Sequence, residues 1–365
     1  MTTAYVWHER YGWYDTGNFH PPGAGGSLPP HPHYDSPEPR TRLASLVEAS
    51  GLARHLVRIT PGEATREDLL RVHTAAYVDR IARASAAGGG DAGDGWTPFG
   101  PGAYDIAALA AGGAIAATEA VLTGQAHNAY ALVRPAGHHA LPDTGMGWCV
   151  FANIAVAVAR ARARHGLERV AVVDYDVHHG NGTQDIFASD PGVLTVSVHQ
   201  DGLFPFDSGH RHERGGGTAA DTVLNVPLPA GSGNGAYAAA FSRVVVPAVR
   251  AFVPDLIIVA SGFDASAADP LGRMGVSARG YRDLATQLLE LAEDLCGGRL
   301  VMCHEGGYSP VYVPYCGLAV LEAMSGHTTD IVDPYADFYD ARPYQELTPW
   351  QTTAIEQAAA LVGRR

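Results

Sequence analysis

Short apolar runs alternate with alanine-rich segments along most of the chain. Helical segments are predicted between most of these runs, at 103–123, 150–165, 235–252 and 278–296. Strands that are apolar on both faces and separated by helices are typical of a parallel sheet covered on both sides. The predicted fold class is therefore α/β. The runs themselves read AYVW, HLVRI, AYALV, RVAVV, VLTVSV, TVLNV, DLIIVA and RLVMC.

Two segments interrupt this alternation. Residues 17–40 are rich in proline, glycine and histidine, and residues 86–102 contain AAGGGDAGDG, so both are predicted to be long loops. The tail from about 347 is predicted to be a helix, with Thr348 as its N-cap and Pro349 in its first turn. Nothing resembling a domain linker stands between these segments. We expect one domain over residues 1–365.

Composition narrows the class of protein. Hydrophobic residues make up 46% of the chain, and we expect no stretch to approach the roughly 20 apolar residues of a membrane span. MTTAYVWHER lacks the pattern of a secretory signal, and the four cysteines form no CxxC pair, so a cytoplasmic protein with free core thiols is expected. The net charge of −13 disfavours a nucleic acid partner and mildly favours cationic substrates.

Unusual polar residues follow four of the predicted strands. Ligands of open α/β sheets bind beyond the carboxyl ends of the strands, so four such ends predict an active site. AYALV leads to a Gly-His-His, RVAVV to two acids and a histidine, LIIVASG to an acid, and RLVMCHEGG to a tyrosine. The residues concerned are His138, His139, Asp174, Asp176, His178, Phe263, Asp264 and Tyr308.

The acids and histidine after RVAVV suggest a metal. If the chain stays extended, Asp174, Asp176 and His178 share one face, and two unpaired carboxylates there would be costly to bury. Asp176, His178 and the distant Asp264 make a three-ligand set that leaves a position for water or substrate, which is typical of catalytic zinc. The imidazole favours zinc over magnesium, although iron or cobalt fits the same ligands. The alternative is a solvated strand end with a few salt bridges.

Hydrolysis at such a metal needs a base for water and an acid for the leaving amine. His138 and His139 are the candidates, with Asp174 and Asn181 as partners that orient the two rings. A carboxylate raises the pKa of its histidine more than an amide does, and the two rings should titrate as a pair. The hydroxyl of Tyr308 is a candidate donor to the oxyanion.

Taken together, the motifs RPAGHHA, DYDVHHGNGTQ, SGFDAS, DPLGRM and EGGY resemble the signature blocks of the histone deacetylase superfamily. The wider sequence resembles its class II branch, particularly the bacterial histone-deacetylase-like amidohydrolases. The resemblance implies the arginase/deacetylase fold, with an eight-stranded parallel sheet flanked by helices. It also implies one zinc ion at the three-ligand set, the same histidine pair and tyrosine, and Asn181 where class I enzymes carry aspartate.

Further expectations come only from this resemblance. Family members grip an acyl-lysine stem in an aromatic tunnel, hold potassium beside the zinc, bind hydroxamate inhibitors, and are often homo-oligomers whose loops meet at the interface. The matching tunnel positions are Gly147, Trp148, Phe204 and Leu271. The potassium positions are Asp174, Asp176, His178, Ser197 and the backbone of Val198, with a second set near Phe187, Asp190 and Val193.

The sequence departs from the family pattern in places. Phenylalanine is usual at Trp148, RPAGHH replaces RPPGHH, and His304 stands where an apolar residue is usual. We expect His304 to be a hydrogen-bonded strand-end residue and Trp96 and Phe99 to form an apolar site near the tunnel rim. Four further histidines are expected on loop surfaces, namely His31, His33, His210 and His212.

Four functions are compatible with these residues to different degrees. The first is a zinc-dependent amidohydrolase that removes acetyl or other acyl groups from N-acyl-lysine-like amines. The second is the same chemistry on acetylpolyamines; Leu271 at the gatekeeper position argues against it, but the long 17–40 loop weakens that argument because it could itself restrict entry. The third is a dimanganese ureohydrolase, which needs a carboxylate where Ser266 stands. The fourth is a catalytically dead acyl-lysine binder, which the complete set of candidate residues disfavours.

Overall fold

The eight apolar runs all form strands of one parallel sheet. The computed structural model describes residues 2–19 and 28–363. The strands are β1 Thr3–Val6, β2 Leu56–Ile59, β3 Asn128–Ala131, β4 Val170–Asp174, β5 Val193–Gln200, β6 Val223–Leu228, β7 Leu256–Ser261 and β8 Leu300–His304. Their order across the sheet is β6-β5-β4-β7-β8-β3-β1-β2, and every pairing is parallel. The predicted α/β class and single domain with an eight-stranded parallel sheet are confirmed.

The strand order explains where the site lies. β4, β7, β8 and β3 are consecutive neighbours, and they are the four strands whose ends carry the candidate residues. In the pairings, Asp174 lies opposite Ala260 on one side and Ser197 on the other, so the strand ends are level. Because parallel strands all end at the same edge, side chains distant in sequence meet there.

Helices cover both faces of the sheet and divide the core in two. Along β4, Val172 packs into one hydrophobic cluster and Val173 into the other, as the alternation of a strand requires. The helices are α1 Glu38–Ala49, α2 Arg66–Leu69, α3 Ala75–Ala86, α4 Ala103–Leu122, α5 Asn153–His165, α6 Asn181–Phe187, α7 Asn234–Ala240, α8 Val246–Phe252, α9 Ala278–Cys296, α10 Val313–Ser325, α11 Ala336–Asp340 and α12 Pro349–Ala359. One face carries α3, α4 and α5, and the other carries α1, α7 to α10 and α12.

Helix α4 corrects one expectation. Over its 20 residues it is long and apolar enough, by length and composition, to cross a membrane, whereas no such stretch was expected. In the fold, however, 78% of its most apolar window is buried against the sheet and α5. Its apolar composition is therefore accounted for by a position inside the core.

The loops are shorter than predicted. Helix α1 begins at Glu38, and Asn18–Phe19 pairs with His31–Pro32 in a small antiparallel ladder. Residues 20–27 of that predicted loop lie outside the described residues. Within 86–102, Gly90–Asp91 pairs with Pro98–Phe99.

The last helix, α12, begins where the sequence predicted, with Thr348 as its N-cap and Pro349 in its first turn. The Thr348 side chain accepts from the Gln351 N–H, and the Gln351 side chain accepts in return from the Thr348 N–H, which completes a capping box. All four cysteines are buried and free. Both observations agree with the sequence-based expectations.

Candidate metal centre and active site

The predicted metal ligands converge at the end of β4. One ligand atom each from Asp176, His178 and Asp264 lies within 4.8 Å of the others, and all three residues are buried. The Nδ1 atom of His178 is 3.1 Å from a carboxylate oxygen of Asp176 and 3.1 Å from one of Asp264. One imidazole nitrogen and two carboxylate oxygens around a common point are a donor set that suits a divalent zinc ion.

The convergence does not arise as the sequence pattern suggested. β4 ends at Asp174, and the next residues bend instead of continuing as a strand. Two hydrogen bonds shape the bend, from the Asp176 N–H to the Asp174 carboxylate (3.0 Å) and from the His178 N–H to the Asp176 carboxylate (2.9 Å). The carboxylate of Asp174 lies 2.9 Å from Nδ1 of His138 and is not part of the three-residue cluster. The premise of one extended face was wrong, although the three-ligand set it suggested does come together.

Backbone groups hold the carboxylates in place. The Gly306 N–H donates to Asp176 (2.7 Å) and the Val177 N–H donates to Asp264 (2.8 Å). A Cβ atom at Gly306 would lie 2.1 Å from an oxygen of Asp264, so only glycine allows this approach. The EGG sequence is therefore required by the packing of the ligand set itself.

Charge within this set favours a cation. Burial and the neighbouring Asp176 charge raise the pKa of Asp264 to about 6. Burial would lower the pKa of His178, but hydrogen bonds to Asp176 and Asp264 raise it to about 10. A positive charge is thus stabilised between the two carboxylates, and a metal ion there would supply it.

The two predicted acid/base histidines stack beside this centre. Their ring centroids are 3.9 Å apart, and both rings are buried. Nδ1 of His138 lies 2.9 Å from the Asp174 carboxylate, and Nδ1 of His139 lies 2.7 Å from the side-chain oxygen of Asn181. Each ring therefore has the partner that the sequence suggested.

The different partners separate the two pKa values. Burial opposes the charged form of His138, but the carboxylates of Asp176 and Asp174 outweigh it and raise its pKa well above the ordinary value. Burial, together with the charges of His138 and His178, lowers the pKa of His139 well below it. A neutral imidazole thus lies beside a charged one, which suits a base and an electrostatic or acid partner.

Tyr308 completes the constellation. Its ring packs edge-on against Trp148, with centroids 5.1 Å apart, and lies 6.5 Å from the His178 ring. Its backbone N–H donates to the Asp269 carboxylate at 2.8 Å, which fixes the chain at this point. Burial raises the pKa of the Tyr308 hydroxyl well above its ordinary value, so the hydroxyl stays protonated and able to donate.

A cavity of about 420 Å³ opens onto His139, His178 and Tyr308. All four predicted tunnel residues line it, together with Trp96 at the rim. Phe99, which was expected beside Trp96, is instead buried in the core. The lining residues are Phe19, Tyr34, Asp94, Trp96, His139, Gly147, Trp148, His178, Phe204, Phe206, Leu271 and Tyr308.

The substitution at Trp148 brings a partner that the sequence did not suggest. Trp148 has a φ of 65°, and its ring packs edge-on against His33 at 5.0 Å between centroids. His33 is buried, so its assignment to the loop surface was wrong, whereas His31, His210 and His212 are exposed as expected. His304 is buried, with Nδ1 3.0 Å from the Tyr130 hydroxyl, as predicted for a strand-end histidine.

Three acids near the site have roles that the sequence did not assign. Glu305 accepts from the His138 N–H at 3.1 Å, and burial raises its pKa to about 7. Asp269 anchors Tyr308, and burial together with the Asp264 charge raises its pKa to about 7. Asp94 accepts from the Gly147 N–H at 2.9 Å at the cavity rim. Glu305 and Asp269 lie within the motifs EGGY and DPLGRM, so the sequence marked both residues but did not indicate what they do.

Two of the positions expected to hold potassium are neighbours in the sheet. Asp174 and Ser197 are neighbours across the sheet, and the Ser197 hydroxyl is 2.9 Å from Nδ1 of His199. In the second set, the carboxylate of Asp190 contacts the guanidinium of Arg162. The Arg162 guanidinium therefore already supplies the positive charge that a potassium ion would bring to the Asp190 carboxylate.

Comparison with known proteins agrees with this geometry. A model of the histone deacetylase domain matches residues 33–324. The histone deacetylase-like amidohydrolase of Pseudomonas aeruginosa is 50% identical over 344 residues, covering 94% of this chain and 89% of that protein. The human polyamine deacetylase HDAC10 is 36% identical over 323 residues, which are 84% of this chain and 46% of that protein.

Solved structures give the same assignment. The crystal structure of the HDA15 HD domain superposes with a TM-score of 0.86 at 30% sequence identity, and the match covers 99% of this chain and 94% of that one. The expected deacetylase fold and the expected class of enzyme, a hydrolase of acetylated amides, are confirmed at this level. The chain belongs to the histone deacetylase family.

Proposed function

We propose that the protein is a zinc-dependent amidohydrolase that removes acetyl or other acyl groups from N-acyl-lysine-like amines. The observation that carries the proposal is the convergence of Asp176, His178 and Asp264 beside the stacked histidines, at the end of an aromatic cavity. A divalent ion held by these three residues would polarise the substrate carbonyl and lower the pKa of water.

The remaining steps belong to side chains of the protein. Neutral His139 takes the proton from water, because its lowered pKa leaves the ring unprotonated at neutral pH, and it passes this proton to the amine nitrogen as the C–N bond breaks. His138 keeps its proton against Asp174 and supports the developing negative charge. The protonated hydroxyl of Tyr308 donates to the carbonyl oxygen as it becomes an oxyanion.

The cavity walls indicate the form of the substrate. Rings of Trp148 and Phe204 and the side chain of Leu271 line the passage, which suits an unbranched apolar stem carrying the amide at its end. An N-acyl-lysine side chain has this form. The acidic chain, with a net charge of −13, attracts substrates that are cationic elsewhere.

Acetylated polyamines are the second candidate. The similarity to a protein named polyamine deacetylase favours them, and their stems would fit the same walls. Against them stands Leu271, which offers no charge to a secondary ammonium group. A ureohydrolase is disfavoured because Ser266 occupies the position of the required second carboxylate.

A deacylation screen with defined metal tests the proposal. Apoprotein prepared with a chelator should be inactive, and one equivalent of zinc should restore hydrolysis of acetyl-lysine peptides in preference to acetylated polyamines. Hydroxamates should inhibit, because they chelate zinc through two oxygens. Full activity without metal, or insensitivity to hydroxamates at millimolar concentration, would contradict the zinc mechanism, and a preference for polyamines would select the second candidate.

Three further expectations, a potassium ion, a homo-oligomer and a cytoplasmic location, are proposals. A potassium ion beside Asp174 and Ser197 is supported by their adjacency in the sheet, and dialysis against sodium or choline salts should then alter activity. The contact between Arg162 and Asp190 argues against extending this to the second set. We also propose that the protein is cytoplasmic and that it is a homo-oligomer; light scattering of the purified protein tests the oligomeric state.

A further inference from the structure

One wall of the cavity stands on a connecting segment and not on the sheet. Phe204 belongs to residues 201–214, the wall loop, which follows β5 and precedes β6. The Phe204 ring packs edge-on against His139, with centroids 5.0 Å apart. The position of this ring therefore depends on what holds the wall loop.

Hydrogen bonds from the segment after the metal ligands hold the loop at Ser208. The Ser208 hydroxyl is 2.7 Å from Nδ1 of His179, the residue that follows His178. Nε2 of His179 is 3.0 Å from the side-chain oxygen of Gln184 in α6. Nε2 of His179 therefore carries its hydrogen, because it faces an acceptor.

Glu213 fixes the other end of this chain. Its carboxylate accepts from the side-chain N–H of Gln184 at 2.7 Å and from the backbone N–H groups of Gly209 and His210 at 3.1 Å each. These contacts orient the Gln184 amide, whose oxygen then also accepts from Asn225 at 2.8 Å. Burial alone would raise the pKa of Glu213, but the hydrogen bonds hold it below its ordinary value, so the carboxylate is ionised.

We propose that Glu213 is a positioning residue for substrate binding: its carboxylate fixes the wall loop so that the Phe204 ring stays against His139. Both carboxylate oxygens of Glu213 face only N–H donors. The Gln184 amide must therefore turn its N–H group toward Glu213 and its oxygen toward His179. As a result, His179 donates to Gln184 through Nε2 and accepts from the Ser208 hydroxyl at Nδ1. The inference rests on the proposed function, because it assumes that the cavity holds the stem of an acylated amine.

The substitution Glu213→Gln tests this with almost no change in size. An amide at this position turns one of its N–H groups toward a donor in either orientation, toward Gly209 and Gln184 or toward His210. This single contact between two N–H donors should loosen the wall loop without changing the contacts of the metal ligands. Glu290→Gln, on the exposed side of α9, is the matched control.

The readouts separate positioning from folding and from chemistry. With zinc-loaded full-length protein, we expect Glu213→Gln to raise KM for an acetyl-lysine peptide about tenfold, with kcat within about threefold of the wild type. The Kd of a hydroxamate with a long aliphatic stem should rise by a similar factor. The Kd of acetohydroxamate, which has no stem to contact Phe204, should change less than about twofold. Glu290→Gln should match the wild type in every assay.

Several outcomes would overturn the inference. Equal losses for the long and short hydroxamates, or a lowered Tm with both affinities intact, would leave Glu213 with a purely structural role. Ser208→Ala cuts the same chain at its far end, and it should show the same selective loss if Glu213→Gln does not fold. Wild-type protein that binds neither hydroxamate would refute the proposed function, and the inference with it.

Discussion

Tyr308→Phe isolates the contribution of a single hydroxyl to the reaction. The ring keeps its edge-on contact with Trp148, and the backbone N–H keeps its hydrogen bond to Asp269, since neither involves the hydroxyl. Tyr308 is 9% exposed, and phenylalanine would bury nearly the same apolar surface. We therefore expect the free energy of unfolding to change by less than about 1 kcal/mol.

The expected loss lies in the chemical step. Removing one oxyanion donor typically lowers kcat by about 10²- to 10³-fold, or roughly 2.7–4 kcal/mol of barrier. KM should change little, because the hydroxyl contributes more to the transition state than to the ground state. Steady-state kinetics on an acetyl-lysine peptide measure both constants, and thermal unfolding confirms that the variant is folded.

Tyr281→Phe is the matched control. Its hydroxyl is buried away from the cavity, and it has no hydrogen-bond partner among residues 2–19 and 28–363. This variant should keep full kcat and match or exceed the wild type in stability. A Tyr308→Phe variant that loses only substrate affinity, or keeps kcat within about threefold, would refute the oxyanion role.

The remaining predictions concern the histidine pair and the metal. His139→Ala should lower turnover by about 10²- to 10⁴-fold while the protein keeps its zinc, and activity within a few-fold of the wild type, with metal content measured in parallel, would show that the base lies elsewhere. In the wild type, the acid limb of kcat/KM should lie below the ordinary histidine pKa of about 6.5, because the pKa of His139 is lowered. Asn181→Asp places a carboxylate beside the His139 ring, which stabilises the protonated ring and raises its pKa, so the acid limb should move to higher pH. If the acid limb of the pH–rate profile does not move, it does not report the titration of His139. Asp264→Asn removes one of two ligand carboxylates, and zinc content after dialysis should fall well below one equivalent; undiminished zinc would place the ion outside this set.

The fold was predictable wherever the sequence carries a repeating physical pattern. Seven of the eight strands are buried along their whole length, the exception being the edge strand β2, and the long helices fall close to where alanine-rich segments predicted them. The start of α1 was missed, because the proline- and glycine-rich composition of 17–40 hides a helix that begins with Glu38 and Pro39. The order of strands across the sheet has no signature in periodicity, so the adjacency of β4, β7, β8 and β3 needed the structure.

The site was predictable as a set of residues but not as a geometry. Asp176, His178 and Asp264 were identifiable by residue type and position, whereas the bend after Asp174 depends on two local hydrogen bonds that no pattern specifies. His33 was misjudged because its burial depends on Trp148, which is more than a hundred positions away in the chain. Glu305 and Asp269 likewise accept hydrogen bonds from backbone N–H groups. Nearly every residue has such a group, so these contacts cannot be read from residue types.

The chemistry and the choice of substrate are separable in this architecture. The metal ligands, the histidine pair and Tyr308 stand beyond the ends of four adjoining strands, whereas Trp148, Phe204 and Leu271 come from the segments that join those elements. Substitutions in the connecting segments can reshape the entrance while the hydrolytic machinery keeps its rigid support. Engineering of acyl or amine preference should therefore begin at these three side chains and leave the strand ends untouched.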